Sequence, residues 1–357
     1  MTRCGAFTRR ARVAPLLCLS AAACAESAIS PDPDPVEPER PVPCTFPNAT
    51  CAERVEIATG LYLPLYSTHL LSEGHAGVTR GLIVIHGNNR NADTYFETGV
   101  LAVAEAGVSA ATAIVAPHFQ TDEDDPEADE PFWSSAGWKR GHLSRPEGPS
   151  PRVSSYAALD RIVDAFLNSS RFPAIREIVV AGHSAGGQVV HRYAATTAHK
   201  STGSGIPIRY VVTNPSTFLY LGPERVDAEG GFTVPGTECG DYDDWHYGLQ
   251  DRNSYAERLD ADSIRAQLTR HDVRILLGDA DTLTASLDVS CGANLQGPRR
   301  YHRGRTLVRF MDEMFSGHAH RQMIVPGVGH SSRSMWLSGV GEYHFYRAMN
   351  HRLVRET

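Results

Sequence analysis

Residues 178–187 read Ile178-Val179-Val180-Ala181-Gly182-His183-Ser184-Ala185-Gly186-Gly187. Four apolar residues end at a Gly-x-Ser-x-Gly turn, and a helical stretch carrying Val189, Val190 and Tyr193 follows. A buried strand that breaks at such a turn and restarts as a helix presents its serine hydroxyl at the end of a sheet. The flanking glycines serve the crossing, because a Cβ at either neighbour would collide with backbone. Ser184 is therefore the candidate nucleophile.

Outward from this turn the chain alternates strands and helices from about residue 53. Arg54 to Thr59 and Leu61 to Tyr66 alternate apolar and polar residues, as half-exposed edge strands do. Gly81-Leu82-Ile83-Val84-Ile85-His86-Gly87 is continuously apolar up to its histidine, the pattern of a strand buried on both faces. A helix is expected over Phe96–Ala106, a strand over Ala113–Ala116 and a helix over Ser155–Leu167, whose apolar residues form one stripe. Beyond the serine, strands are expected over Ile208–Val212, Val273–Leu277 and Met323–Val325, and a last helix from about Met335 to Leu353. The fold class is thus α/β, with a mostly parallel sheet covered by helices on both faces. Ligands on such sheets bind at the strand carboxyl ends. Two long interruptions, 118–152 and 216–258, leave from those ends and are placed to roof a site. The acidic run Thr121 to Glu130 reads as a solvated loop, and the aromatics of both insertions as packing within them.

A composition of 41% hydrophobic and 21% charged residues is that of an ordinary globular protein. Beyond the N-terminus no apolar run reaches the roughly 18–20 residues needed to cross a bilayer. The first 23 residues read as a signal peptide: Arg3, Arg9, Arg10 and Arg12 precede the apolar stretch Val13 to Ala23. Without those four arginines the formal charge of −7 becomes −11, and no Lys/Arg-rich stretch remains, so nucleic acid is not an expected partner. Ala21-Ala22-Ala23 fits a signal-peptidase site, and Ala22-Ala23-Cys24 resembles the end of a bacterial lipobox, making Cys24 a lipidation candidate. Secretion and membrane anchoring through Cys24 both remain open. Residues 24–52 form a proline-rich tether, and its segment 31–43, extended as polyproline, spans about 40 Å. The catalytic domain is then 53–357. Cys44, Cys51, Cys239 and Cys291 suggest two disulfides in an exported protein. Cys44 with Cys51 would close a local loop and Cys239 with Cys291 would pin one insertion to another, although three pairings are possible. No metal-ligand spacing is present, and His318 and His320 read as exposed loop histidines.

A serine nucleophile needs a base, and the base needs a carboxylate to fix its tautomer. Both follow in chain order. Leu277-Gly278-Asp279-Ala280-Asp281 ends one late strand, and Val325-Pro326-Gly327-Val328-Gly329-His330 ends the last. With these the chain resembles the α/β-hydrolase superfamily, in particular its secreted esterase- and lipase-like members, over roughly residues 54–353. The resemblance implies Ser184 as nucleophile, His330 as base and Asp281 as acid, from the family pattern of a strand followed by Gly-x-x-Asp. Asp279, two residues away, is the competing acid, and otherwise a turn residue bonding backbone amides. The resemblance also implies an oxyanion hole from the backbone N–H groups of Ala185 and Asn88. Here His86-Gly87-Asn88-Asn89-Arg90 stands where some lipases carry three glycines after the histidine. His86 is expected to support that loop, and His183 and His191 to be structural. The expected activity is cleavage of small or polymeric carboxylic esters through an acyl-enzyme, without cofactor or metal. A peptidase or amidase using the same residues is the alternative, and a surface-tethered binding protein the third.

Overall fold

A computed structural model describes residues 42–199, 205–236 and 239–346, all within one unit spanning Arg40–Thr357. The signal peptide, Cys24 and most of the tether lie outside the described residues. Ten strands form among the described residues. They are β1 (Ala52–Ala58), β2 (Leu61–Ser67), β3 (Arg80–Ile85), β4 (Thr112–Pro117), β5 (Glu177–His183), β6 (Ile208–Thr213), β7 (Arg225–Val226), β8 (Phe232–Thr233), β9 (Asp272–Gly278) and β10 (Arg321–Val325). Eight of them build one sheet in the order β1-β2-β4-β3-β5-β6-β9-β10, and β7 pairs with β8 alone. Pairing is antiparallel for β1–β2 and β2–β4 and parallel from β4 to β10. The strand leading to Ser184 is therefore central, with β3 and β6 as neighbours.

The apolar runs are buried on both faces because helices cover both. Helices α1 (Ala92–Glu105), α7 (Ser332–Trp336) and α8 (Gly339–Tyr346) lie on one side. Phe96, Val103, Met335 and Trp336 pack there with Leu82, Val84, Val179 and Ala181. On the other side, α2 (Ser155–Leu167), α3 (Ala185–Thr196), α4 (Ala261–Arg270) and α6 (Arg300–Met314) bury Leu159, Val190, Leu268 and Leu307. They meet Ile83, Ile85, Ile178 and Val180, the alternate residues of the same strands. Burying one such side chain contributes roughly 1.5–3 kcal/mol, so these two layers carry most of the stability of the sheet. Among the described residues no helix is long and apolar enough to cross a membrane.

Two expectations need correction, and a third holds only in part. The folded body begins before residue 53: Cys44 is buried, donates its N–H to Thr68 O and forms a disulfide with Cys51. The C-terminal helix is broken into α7 and α8, because Ser338 Oγ bonds Met335 O and accepts from Gly341 N, a local bonding pattern that ends one helix and starts the next. Its expected continuation past Tyr346 lies outside the described residues. The acidic run is solvated at Asp122, Glu123, Asp125 and Glu127, as expected, but it is also pinned. Arg90 reaches Asp124 and Glu123 at 2.6 and 3.0 Å, and Arg54 pairs with Asp129 and with the buried Glu130. These pairs fasten the insertion to the loop after β3, through Arg90, and to β1, through Arg54.

Two helices escaped the sequence reading. Arginines on the flanks of α6 hide the stripe of Gly304, Leu307, Phe310 and Met311 that it buries, and α4 buries only Ile264, Gln267 and Leu268. A third excursion, 282–299, leaves β9 and contains α5 (Cys291–Asn294). Its Cys291 is joined to Cys239, so a disulfide ties it to the second insertion.

Candidate active site

The turn at the end of β5 has the backbone its sequence calls for. Ser184 has φ 58° and ψ −117°, a conformation an L-residue keeps only where its surroundings impose it. They do so at close quarters. A Cβ on Gly182 would stand 2.4 Å from Gly186 C, and one on Gly186 would stand 2.2 Å from Ile85 O. Ser184 N–H is held by Thr213 O at 2.9 Å, and the Thr213 hydroxyl donates to Gly182 O at 2.6 Å.

Asp281 follows β9 and His330 follows β10, and these strands are parallel neighbours with Gly278 paired to Val325. His330 Nδ1 lies 2.6 Å from Asp281 Oδ2, and His330 Nε2 lies 2.9 Å from Ser184 Oγ. Three residues distant in sequence thus form one chain of two hydrogen bonds, with the carboxylate buried. The competing acid sits elsewhere. Asp279 is exposed and accepts Gly327 N–H at 2.7 Å, which couples the acid loop to the histidine loop.

Two residues overlooked in the sequence complete this geometry. Asn214, fully buried at the end of β6 with φ 43°, accepts Gly278 N–H at 2.9 Å and donates to Gly329 O at 3.3 Å. It clamps the backbone just ahead of both Asp281 and His330. A polar residue directly after a buried strand was its one visible signal. Arg300, fully buried at the start of α6, brings Nη1 to 3.6 Å from Asp281 Oδ1, which has no other partner among the described residues. Arg300 also donates to Ala285 O at 2.8 Å. Burial lowers its pKa while Asp281 acts against that shift. Nothing in the sequence around Arg300 marks it.

The loop after β3 turns tightly, with Arg90 N–H on Gly87 O at 3.1 Å and φ 57° at Arg90. Neither Asn88 nor Ala185 gives its N–H to an acceptor among the described residues. Ala185 opens α3, where unpaired amides and the helix dipole favour negative charge. His86 is buried under this loop, its Nδ1 2.9 Å from Gly87 O and its Nε2 accepting Phe119 N–H at 3.0 Å. Burial pushes it down to about 3, so it is a neutral brace. His183, in the turn itself, is likewise held well below 6.5 by burial and then by His330, whose ring lies 4.5 Å away. His191 accepts Leu219 N–H and lies against the rings of Phe218 and His320. His320 is not exposed as expected: it is buried, with Nε2 2.9 Å from Leu268 O, and His318 pairs with Asp312 at 3.0 Å. The loop between α6 and β10 folds back onto α4 and takes both histidines with it.

The insertions meet over α3. Arg192, fully buried on that helix, donates to Lys139 O in the first insertion at 3.3 Å and to Thr217 Oγ1 and His246 O in the second at 2.8 and 3.2 Å. The aromatics of the first insertion pack internally, with Trp133 and Trp138 fully buried against Phe119, whereas Tyr220 and Phe232 of the second pack on Phe310 of α6. Among the described residues no group of three or more His, Cys, Asp or Glu gathers to hold a metal.

No family model and no curated protein matches the chain. Solved structures do. Poly(aspartic acid) hydrolase-1 from Sphingomonas sp. KT-1 is 22% identical with a TM-score of 0.59, the match covering 83% of this chain and 98% of that one. LpqC, a poly(3-hydroxybutyrate) depolymerase from Bordetella parapertussis, is 23% identical with a TM-score of 0.55, covering 79% of this chain and 86% of that one. With its central parallel strands, helices on both faces and a sharp turn after β5, this chain has the α/β-hydrolase fold.

Proposed function

We propose that this chain is an exported serine hydrolase that cleaves carboxylic esters through an acyl-enzyme. The observation that carries the reading is the continuous path Ser184 Oγ–His330–Asp281, at 2.9 and 2.6 Å, starting from a strained turn. In this mechanism Ser184 Oγ attacks the ester carbonyl carbon while His330 Nε2 takes its proton. Asp281 accepts the Nδ1–H and stabilises the imidazolium. The N–H groups of Asn88 and Ala185 receive the oxyanion, each worth on the order of 3 kcal/mol in the transition state. Collapse expels the alcohol, which takes its proton from His330. Water then enters by the reverse sequence, releases the acid and restores Ser184.

One similar structure is named for depolymerising a polyester and the other for hydrolysing poly(aspartic acid), a polyamide. The second name favours a second reading, amide hydrolysis by the same residues. The deciding experiment compares 4-nitrophenyl esters with the matching 4-nitroanilides, using Ser184→Ala as blank. We expect ester turnover, covalent labelling of Ser184 by a fluorophosphonate, and a loss of about 10⁴-fold or more in kcat for Ser184→Ala. Anilide turnover exceeding ester turnover would reverse the assignment, and failure of the probe to label would remove both.

Export rests on the basic and apolar N-terminus and is supported by the two disulfides, which persist in oxidising compartments. Anchoring through Cys24 predicts incorporation of labelled palmitate that Cys24→Ala abolishes. Release of unlabelled protein into the medium would show simple secretion instead.

A further inference from the structure

Beside the proposed oxyanion loop stands a cation that the mechanism above does not use. Lys139 lies on the one-turn helix Trp138–Arg140, and its Nζ donates to Asn88 Oδ1 at 2.9 Å. The backbone of that turn is held from several sides. Tyr156 Oη and Arg192 Nη1 donate to Lys139 O at 2.9 and 3.3 Å, and Ser155 Oγ to Trp138 O at 2.9 Å. Trp245 Nε1 and Asn253 Nδ2 both donate to Arg140 O, at 2.8 and 2.6 Å. Five donors on three successive carbonyls fix the position of Lys139 before any ligand arrives.

The charge itself is left uncompensated. Among the described residues Lys139 has no ion-pair partner, and Asn88 Oδ1 is its one acceptor. Arg140, Arg192 and Arg90 act on it as like charges, and Asp288 is the acid that opposes them. That carboxylate is already engaged by Tyr247 Oη at 2.6 Å and Ser290 N at 3.0 Å. Arg90, by contrast, spends its charge on Glu123 and Asp124. Burial, followed by Arg140 and Arg192, pushes the Lys139 ammonium down to about 8, so it remains mostly charged at neutral pH. An ammonium has three N–H donors, and one is taken by Asn88, leaving two for an anion.

We propose that Lys139 anchors a carboxylate-binding subsite beside the oxyanion loop, and that the preferred substrates are esters bearing a free carboxylate. The substrate class rests on the ester-hydrolase reading, whereas binding of the carboxylate does not. Lys139 would thus be a specificity-determining residue. The competing role is structural, a prop for Asn88 alone.

Two substrate pairs separate these roles. 4-Nitrophenyl hydrogen adipate against 4-nitrophenyl hexanoate puts the carboxylate on the acyl chain, and 4-carboxyphenyl hexanoate against phenyl hexanoate puts it on the leaving group. In at least one pair we expect the charged member to have the higher kcat/KM. Lys139→Met should lower it about 10-fold or more, the neutral member less than about 3-fold, and Lys139→Arg should restore most of the difference. An equal fall for both members of each pair would leave only the prop, and the absence of any wild-type preference would overturn the subsite. Independently of turnover, monomethyl adipate should bind Ser184→Ala more tightly than the neutral methyl hexanoate does by calorimetry, and Ser184→Ala/Lys139→Met should lose that preference. If monomethyl adipate binds through Lys139 but no ester is cleaved by the wild type, the ester reading falls and the subsite stands. If monomethyl adipate and methyl hexanoate bind alike, the subsite falls.

Discussion

The sheet and the insertions above it are built by different forces. In the sheet, alternate residues of β3 and β5 go to opposite faces, and each face is sealed by apolar helix side chains. In the insertions, fully buried arginines organise the chain by donating to backbone carbonyls. Arg192 joins the two insertions, Arg225 holds Gly222 O and Tyr242 O at 2.8 and 2.9 Å, and Arg303 holds Ser216 O and Asp288 O at 2.7 and 2.8 Å. Apolar packing is non-directional and tolerates variation, whereas a guanidinium needs every acceptor in place. The difference teaches why Ser184, Asp281 and His330 take their places from strand ends, whereas the insertions are placed by directional bonds to buried arginines.

The sharpest way to break this comparison is to weaken each layer once. Ile83→Ala, in the sheet, should cost about 2–5 kcal/mol and lower one cooperative transition for the whole domain. Arg192→Met should cost a similar amount, since it strands buried carbonyls and hydroxyls at roughly 1–3 kcal/mol each. It should act differently, however. Limited proteolysis of Arg192→Met should cut within 118–152 or 216–258 while the sheet stays protected. Simultaneous loss of sheet and insertions in both variants would show that the layers are not separable.

Acid acts on both layers, because burial keeps histidines neutral beside the sheet and, at His118, His142 and His246, in the insertions, while arginines do not titrate in that range. Burial holds His86 at about 3 and His271 and His320 at about 4, and lowers His183 and His191 well below 6.5. Below about pH 6.5 the unfolded chain takes up protons on these rings and the folded chain does not. Stability therefore falls as pH drops from about 6.5 toward 4, by up to about 1.4 kcal/mol per pH unit for each ring. Urea unfolding at pH 7.5, 6 and 5 measures this, and a flat profile would contradict it.

The smallest expected effect concerns Arg300, where a buried arginine reaches the sheet-borne acid. Arg300→Met removes the cation that faces Asp281 Oδ1, so kcat should fall a few-fold at most while Arg300→Lys restores most of it. An equal loss in both variants would give Arg300 a purely structural role.

The readable part of this protein was periodic or covalently local. Doubly apolar runs marked β3, β4, β5 and β6, and the extent of α2 matched its apolar stripe. The alternation at Leu61–Tyr66 marked a half-buried strand but not an edge, because β2 pairs with β1 on one side and β4 on the other. Gly182-His183-Ser184-Ala185-Gly186 announced its turn because only glycine fits beside Gly186 C and Ile85 O. The order Ser184, Asp281, His330 was legible as well, since each ends or follows a strand. Helix α6 was not, because its arginines look like a solvated face until the carbonyls they serve are brought together.

What the amino-acid sequence by itself determined is therefore the α/β layering, the strained turn and three candidate residues placed at strand ends. Local propensity and apolar period encode these, and both act over a few residues. Only the tertiary structure decided that Asp281 faces His330 while Asp279 holds Gly327 N–H. It also decided that Asn214 clamps both loops, that Arg300 faces the acid, and that Lys139 stands uncompensated beside Asn88. Those relations join residues up to 115 positions apart, and they depend on where buried charges find acceptors, which no local pattern records.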